Sequence, residues 1–321
     1  MTSAPQYDFV LAATPPFRLD LTAWVLRRRI DNQIDHWDGQ TYRRLLPLGP
    51  ARAPLAVAVR QDDPARPEIQ VTLAGAGAGP AAAPAAEASL RRMLGLDVDL
   101  SDFYRLAAAD PLLAPLAERF RGFKPPRYPS VFETLTNAIA CQQITLTLGI
   151  TLLNRLAEAY GGTHPVPAVG DAAPIPAHAF PLPEELAALA PEALRPLGFS
   201  GRKAEYIIGV AGAIAAGDLD LEALAALDNA AALENLLRLR GVGRWSAEYV
   251  LLRGLGRLDT FPGDDVGARN GLQRWLGREE KMNYDAIQQE IARWQPYGGL
   301  IYFHMLLDSL DRRGAIVKDE Q

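Results

Sequence analysis

The sequence predicts an α+β fold: an N-terminal antiparallel β-sheet with one helix, then a mostly α-helical body in which a glycine hairpin joins two helices. Three features predict it. Apolar and polar residues alternate with the period of a strand through much of residues 1–76, with turn residues between the runs. From Ala88 onward the apolar spacing is helical almost throughout. Between these regimes residues 74–86 read AGAGAGPAAAPAA, which has too little side-chain bulk to build a core and is expected to act as a linker. A first domain is therefore expected at 1–86, linker included, and a helical body at 87–321.

Within the first domain, residues 7–12 read as a short strand, and 32–38 with 40–46 as a hairpin turning at Asp38-Gly39. Residues 55–60 and 68–73 add two more alternating strands. One helix, over 21–29, interrupts them and would pack on one face of the twisted sheet. Asp31, Asp35, His36 and Asp38 are metal-binding residue types, but at strand and turn positions they read as ordinary polar residues.

Helices are expected at 89–96, 100–108 and 110–120, with Ser101 and Asp110 as N-caps and Pro111 at a first helical position. A proline-rich connector at 123–129 leads to Ser130, which caps an apolar helix over 131–144. Another helix runs over 146–160. Residues 161–181 are rich in Pro and Ala, lack periodicity and read as a surface loop. Helices at 183–189, 191–194, 202–216, 221–227 and 230–239 follow, and others at 266–276, 284–293 and 298–313 come after the hairpin helix. No internal repeat is evident.

Composition narrows the functional classes. At 321 residues the chain can hold two or three packed units, and 49% hydrophobic with 22% charged residues describes a soluble globular protein. No apolar run reaches the roughly 18–20 residues that span a bilayer, and MTSAPQYDFV lacks the pattern of a signal peptide, so a cytoplasmic protein is expected. Cys141, the only cysteine, excludes an internal disulfide, a thiolate zinc site and a four-cysteine iron–sulfur cluster. The four histidines, 36, 164, 178 and 304, lack metal-ligand spacing, and His304 on an apolar helix reads as a core histidine. Net charge is −5, which argues against a nucleic-acid partner at the scale of the whole chain. Local charge differs: residues 238–274 hold seven arginines against Glu248, Asp259, Asp264 and Asp265, a local +3. That segment is either a solvated helix face or a basic patch of the kind that meets phosphates.

The most informative stretch is 237–269, LRLRGVGRWSAEYVLLRGLGRLDTFPGDDVGAR. A leucine-rich helix runs into Leu239-Arg240-Gly241-Val242-Gly243, and a second helix starts at Arg244. Such a hairpin presents backbone N–H groups and a helix N-terminus to a phosphate. Gly241 and Gly243 are expected to take positive φ and to leave room for the phosphate. Some twenty residues on, a Pro-Gly turn carries Asp264 and Asp265, which could serve as helix caps, as catalytic carboxylates, or as both.

The hairpin, its following helix and this carboxylate resemble the helix-hairpin-helix DNA glycosylase superfamily, AlkA-type 3-methyladenine DNA glycosylases in particular. Three further blocks carry the resemblance in the expected order: Ala138-Ile139-Ala140-Cys141-Gln142-Gln143-Ile144, GFSGRKAEYI at 198–207, and Arg293-Trp294-Gln295-Pro296-Tyr297. The blocks span most of residues 131–310, and an N-terminal β domain ahead of a helical body is also the AlkA arrangement. The resemblance implies a two-lobed body, one lobe at about 131–257 and the other at about 87–130 plus 258–321. It implies a monomeric DNA N-glycosylase with no cofactor, acting on damaged bases in double-stranded DNA without any membrane partner.

Residue by residue, the resemblance aligns Asp265 with the catalytic aspartate, which stabilises an oxocarbenium-like sugar and directs water. Asp264 is then a cap or a support. Trp245 and Tyr249, one turn apart, match aromatic pocket positions that suit a cationic alkylated base; core residues are the alternative. Phe132 and Tyr302 are further pocket candidates. Val266 stands where an aromatic residue usually follows the aspartate, and Met305-Leu306-Leu307 replaces an aromatic pair, so the pocket holding Leu306 is expected to be more aliphatic. Gln143 aligns with the residue that fills the gap left by the flipped base, with Gln142 and Ile144 beside it; a helix-end glutamine satisfying backbone groups is the alternative. Leu239, Gly241, Val242, Gly243, Arg244 and Ser246 of the hairpin, with Arg202 and Lys203, complete the expected DNA-binding set. A monovalent ion at the hairpin carbonyls is also implied. Bifunctional relatives carry a lysine at position 245, and there is none between Lys203 and Lys281, which implies hydrolysis without strand cleavage. A non-catalytic DNA-binding protein, a lyase that draws its lysine from elsewhere and a glycosylase with altered lesion preference are the competing readings.

Overall fold

The computed structural model describes residues 5–163 and 178–316. Five strands, β1 (Gln6–Ala12), β2 (His36–Trp37), β3 (Thr41–Leu46), β4 (Leu55–Arg60) and β5 (Glu68–Ala74), form one antiparallel sheet in the order β1-β5-β4-β3-β2. The expected strand at 32–38 shrinks to two residues because Asn32 folds its own chain. Its Oδ1 accepts from the amides of Ile34 and Asp35, which holds that segment in a turn. The hairpin does turn at Gly39, where φ is +102°.

Helices α1 (Leu19–Arg27) and α2 (Ala83–Leu94) cover one face of the sheet. Leu19, Ala23 and Leu26 of α1 and Ala86, Leu90 and Met93 of α2 pack with Tyr42, Val57, Val59 and Val71. The Ala/Gly/Pro stretch is thus not slack along its whole length: α2 begins inside it, and Ala82 and Ala86 are buried in the sheet's core. Small side chains lack bulk for a core of their own, but they let a helix approach a sheet closely.

The helical part comprises α3 (Ser101–Ala109), α4 (Leu113–Arg119), α5 (Val131–Cys141), α6 (Leu146–Tyr160), α7 (Pro183–Ala187), α8 (Gly201–Ala215), α9 (Asn229–Leu237), α10 (Arg244–Arg253), α11 (Val266–Trp275), α12 (Tyr284–Ile291) and α13 (Gly298–Arg312). Ser130 caps α5 by accepting from the Glu133 amide at 3.0 Å. Helix α5 stops at Cys141, three residues before the expected end, because Gln143 takes φ +55°. Residues 191–197 and 222–226 form 3₁₀ turns. Residues 164–177 of the expected 161–181 loop, His164 among them, lie outside the described residues, as do residues 1–4.

Two apolar cores divide the helices. One gathers α5, α6, α8, α9 and α10 around Leu135, Leu153, Ile207 and Val250; the other gathers α3, α4, α11, α12 and α13 around Phe103, Leu272, Trp294 and Phe303. His304 lies in the second core, donating from Nδ1 to the Leu300 carbonyl at 2.7 Å amid Phe103, Phe120 and Phe123. Burial lowers its pKa to about 4, so it is a neutral core histidine.

The sheet domain is tied to the body by a buried charge cluster. Arg44 of β3 reaches Asp35 at 2.7 Å and both oxygens of Glu133 of α5 at 2.6 Å, while the Tyr42 hydroxyl donates to Asp35. Asp31 and Asp38 pair with Arg29 and Arg43. Among the described residues no group of His, Cys, Asp and Glu is placed to hold a metal ion.

Candidate active site

A cleft of about 820 Å³ opens where α5, α10, α11 and α13 meet the end of α1. Its size falls within the roughly 300–1,000 Å³ of small-molecule sites. Asp265 is the N-cap of α11: Oδ1 accepts from the Ala268 amide at 2.9 Å. Capping therefore occupies one oxygen only. Oδ2 accepts from Trp245 Nε1 at 3.1 Å and from the Tyr302 hydroxyl at 3.2 Å, on the cleft wall. Burial first, and then the adjacent Asp265 carboxylate, push the Tyr302 hydroxyl well above its usual pKa, so it remains a donor. A carboxylate fixed by three donors at the lip of a pocket can face a developing positive charge and accept a proton from water.

Asp264 points elsewhere, accepting from Arg244 Nε at 2.7 Å. The Arg244 guanidinium also lies 3.7 Å from the centroid of the Tyr284 ring, whose hydroxyl donates to Glu248. Asp264 is thus a support, and Arg244 is held in place while half exposed.

Trp245 and Tyr249 of α10 stand together on the cleft wall with ring centroids 5.6 Å apart. Tyr302, Met305 and Leu306 of α13 face them, and Val266 stands at the rim, 59% exposed. Leu307 turns into the core. Phe132 does not join this group; it is buried with Leu135 and Ile139 in the first helical core and does not line the cleft.

The hairpin between α9 and α10 departs from expectation at one glycine. Gly241 has φ +85°, and a Cβ there would meet the Tyr206 ring at 2.0 Å. Gly243 is extended, φ −98° and ψ 178°, and a Cβ there would meet nothing within 4 Å. The turn thus needs Gly241 for its backbone, whereas at Gly243 the missing side chain only leaves the surface clear. Among the described residues, the amides of Gly241, Gly243, Arg244 and Trp245 have no protein acceptor. Leu239 and Val242 pack inward against the first core, and Ser246 is buried.

Besides Ser246, two of the polar residues expected at DNA turn inward. Gln142 donates to the Gly241 carbonyl and to Ser246 Oγ, both at 2.9 Å, and clamps the end of α5 to the hairpin. Lys203 Nζ donates to the carbonyls of Ala140 and Gln142 at 2.8 Å, capping α5. Lys203 is drawn in because α5 ends early and leaves carbonyls to satisfy, and Gln142 because the hairpin carbonyl and the buried Ser246 hydroxyl face it. Gln143 is exposed and lines the cleft beside Ile144, and Arg202 is exposed on α8.

The inner wall of the cleft is not legible in the sequence. Arg28, the residue after α1, has φ +59° and enters the cleft from the sheet domain. It donates to Asn137 Oδ1 at 2.7 Å and to the Tyr249 hydroxyl at 3.3 Å. The Tyr249 and Tyr128 hydroxyls are 3.2 Å apart, and the buried Arg253 guanidinium lies 4.9 Å from the Tyr128 ring. Only the run Arg27-Arg28-Arg29 hinted at charge here, and no spacing rule says which of the three turns inward.

Fold and cleft together have the form of an enzyme built on a helix-hairpin-helix, with a sheet domain contributing to its pocket. Comparison with known proteins gives that form a family. Residues 136–296 match the HhH-GPD superfamily of base excision DNA repair proteins, and residues 8–130 match the AlkA N-terminal domain. The chain belongs to the HhH-GPD superfamily of base excision DNA repair proteins. It is similar to the DNA-3-methyladenine glycosylase of Bacillus subtilis, 34% identical over 65% of this chain and 67% of that one. It is also similar to DNA-3-methyladenine glycosylase 2 of Escherichia coli, 28% identical over 92% of this chain and 96% of that one. The solved 3-methyladenine DNA glycosylase of Archaeoglobus fulgidus superposes with a TM-score of 0.79 at 27% identity, covering 96% of this chain and all of that one.

Proposed function

We propose that the chain is a monofunctional DNA glycosylase that hydrolyses the N-glycosidic bond of alkylated, 3-methyladenine-like bases flipped out of duplex DNA. The observation that carries this reading is the divided use of Asp265, whose Oδ1 caps α11 while Oδ2 lies on the cleft wall between Trp245 and Tyr302. In this reading Asp265 stabilises the oxocarbenium-like sugar and takes a proton from the attacking water. Trp245 stands where a lyase would need its lysine. Trp245, Tyr249, Tyr302 and Leu306 enclose the base, Val266 borders it, and Phe132 supports the wall from the core.

The free amides of the hairpin hold a phosphate. Gln143 and Ile144 enter the space left by the base, Arg244 and Arg202 lie along the strand, and Gln142, Lys203, Leu239, Val242 and Ser246 shape the binding edge from inside. A monovalent cation at the hairpin carbonyls would share that of Gly241 with the Gln142 amide, which uses one of its two lone pairs. The N-terminal domain of a monomer runs past residue 86 to the end of α2, whose Leu90 and Met93 pack in the sheet's core, and the two-lobed body follows.

Incubation with methylated duplex DNA tests the activity: released 3-methyladenine supports it, and binding without base release would leave only a DNA-binding protein. The hairpin assignment has its own test. Gly241→Ala is expected to cost about 2–4 kcal/mol of stability, from left-handed strain and the Tyr206 clash. Gly243→Ala should change stability by less than about 1 kcal/mol but weaken DNA binding, because its methyl stands in front of the amides. Thermal melts and binding titrations separate the two, and unchanged binding by Gly243→Ala would remove the hairpin from the DNA contact.

A further inference from the structure

Resting on the glycosylase reading of the cleft, we propose that Tyr284 is a positioning residue that fixes Asp265 relative to the DNA-binding hairpin. It acts from behind the cleft, by clasping the turn that carries the carboxylate. That turn, Pro262-Gly263-Asp264-Asp265, closes with the Asp265 amide donating to the Pro262 carbonyl at 3.0 Å. Tyr284, the first residue of α12, reaches three partners there. Its ring lies against the backbone of Gly263, where an added Cβ would meet Cδ2 at 2.8 Å and Gln288 Nε2 at 3.0 Å. The Arg244 guanidinium lies over the same ring, 3.7 Å from its centroid, while its Nε donates to Asp264 at 2.7 Å. The Tyr284 hydroxyl donates to Glu248, one turn along α10 from Arg244. Gln288, one turn along α12, donates to the Phe261 carbonyl at 3.1 Å and holds the chain as it enters the turn.

Glu248 is 6% exposed and faces the Arg244 guanidinium and the Asp264 carboxylate as well as Tyr284. A buried carboxylate is costly where packing alone is required, and this one anchors the Tyr284 hydroxyl to α10. Two sides of α10 thus converge on neighbouring residues. Trp245 holds Asp265 Oδ2 from inside the cleft, while Arg244 and Glu248, through Tyr284, hold Gly263 and Asp264 from outside. Helix α10 begins at the hairpin whose free amides take the phosphate in this reading. The grip of Tyr284 therefore sets the span from the anchored phosphate to the carboxylate that faces C1′. A misplacement of about 1 Å at a reacting group costs about a hundredfold in rate. The hold on DNA resides in the hairpin and is spared.

The test uses the full chain and a methylated duplex, with release of 3-methyladenine followed under single-turnover conditions and binding measured on an abasic duplex. Tyr284→Leu is expected to lower the rate constant at saturating enzyme by about tenfold or more, with affinity for the abasic duplex within about threefold of wild type. Tyr284→Phe, which keeps the ring between Gly263 and Arg244, should recover most of that loss. Gly263→Ala leaves Tyr284 in the chain but pushes its ring aside, so it should give the same split between rate and affinity. It serves if Tyr284→Leu does not fold. In either variant a wild-type rate, or a rate and an affinity that fall together, would overturn the role of Tyr284 and leave the glycosylase reading standing. Absence of base release by the wild type would overturn both.

Discussion

Asp265→Asn is expected to lower single-turnover base excision by at least about a thousandfold while leaving affinity for an abasic duplex within a few-fold of wild type. Asparagine keeps an oxygen to accept from the Ala268 amide, so the α11 cap should survive with a stability change below about 1 kcal/mol. What is lost is the charge at Oδ2, where Trp245 Nε1 and the Tyr302 hydroxyl now converge. Asparagine cannot take a proton from water, and it offers only a dipole to an oxocarbenium-like sugar. A variant that excises at the wild-type rate would return Asp265 to a purely structural cap.

The second large effect is on stability. Arg44→Met should lower unfolding free energy by about 3–5 kcal/mol at neutral pH, read by chemical denaturation, because it strands Asp35 and Glu133 in the interior without their counter-charge. Burial already raises the Glu133 carboxyl pKa despite Arg44 beside it. Without Arg44 the Glu133 carboxyl should bind a proton more readily folded than unfolded. Acidification from pH 7 towards pH 5 therefore favours the folded variant, and the deficit against wild type should narrow. A deficit that grows on acidification would mean that the pair is not ionised as drawn. Because this cluster joins β3 to α5, and Arg28 enters the cleft from the same domain, the loss should also be felt at the pocket.

The parts of the molecule that were legible in the sequence were those fixed by local pattern. Strands 55–60 and 68–73, the helix at 146–160 and the Ser130 cap were read nearly to the residue, because alternation, helical spacing and capping chemistry are local. Trp245 and Tyr249 sit one turn apart on one helix, so their shared face followed from spacing alone. Phe132 was harder: nearly every residue of α5 is buried, and a helix buried all round gives periodicity no face to select. Gly243 carried the same letter as Gly241, but the letter allows positive φ without requiring it. Lys203 turned inward to carbonyls left where a positive φ at Gln143 ended α5, and Gln142 turned inward to the hairpin packed beside it; both depend on tertiary packing. Arg28 was invisible for a similar reason. Its direction depends on a left-handed residue at the end of α1 and on how the sheet docks against the body.

The most direct test of the account is to follow strand integrity while base is released from a single-lesion duplex, with sodium borohydride present in a parallel reaction. With Trp245 in place of a lysine and Asp265 directing water, base release should leave the strand intact until hot alkali cuts it, and borohydride should trap no protein–DNA adduct. Immediate nicking together with a trapped adduct would show that an amine of the protein, and not water, attacks the sugar.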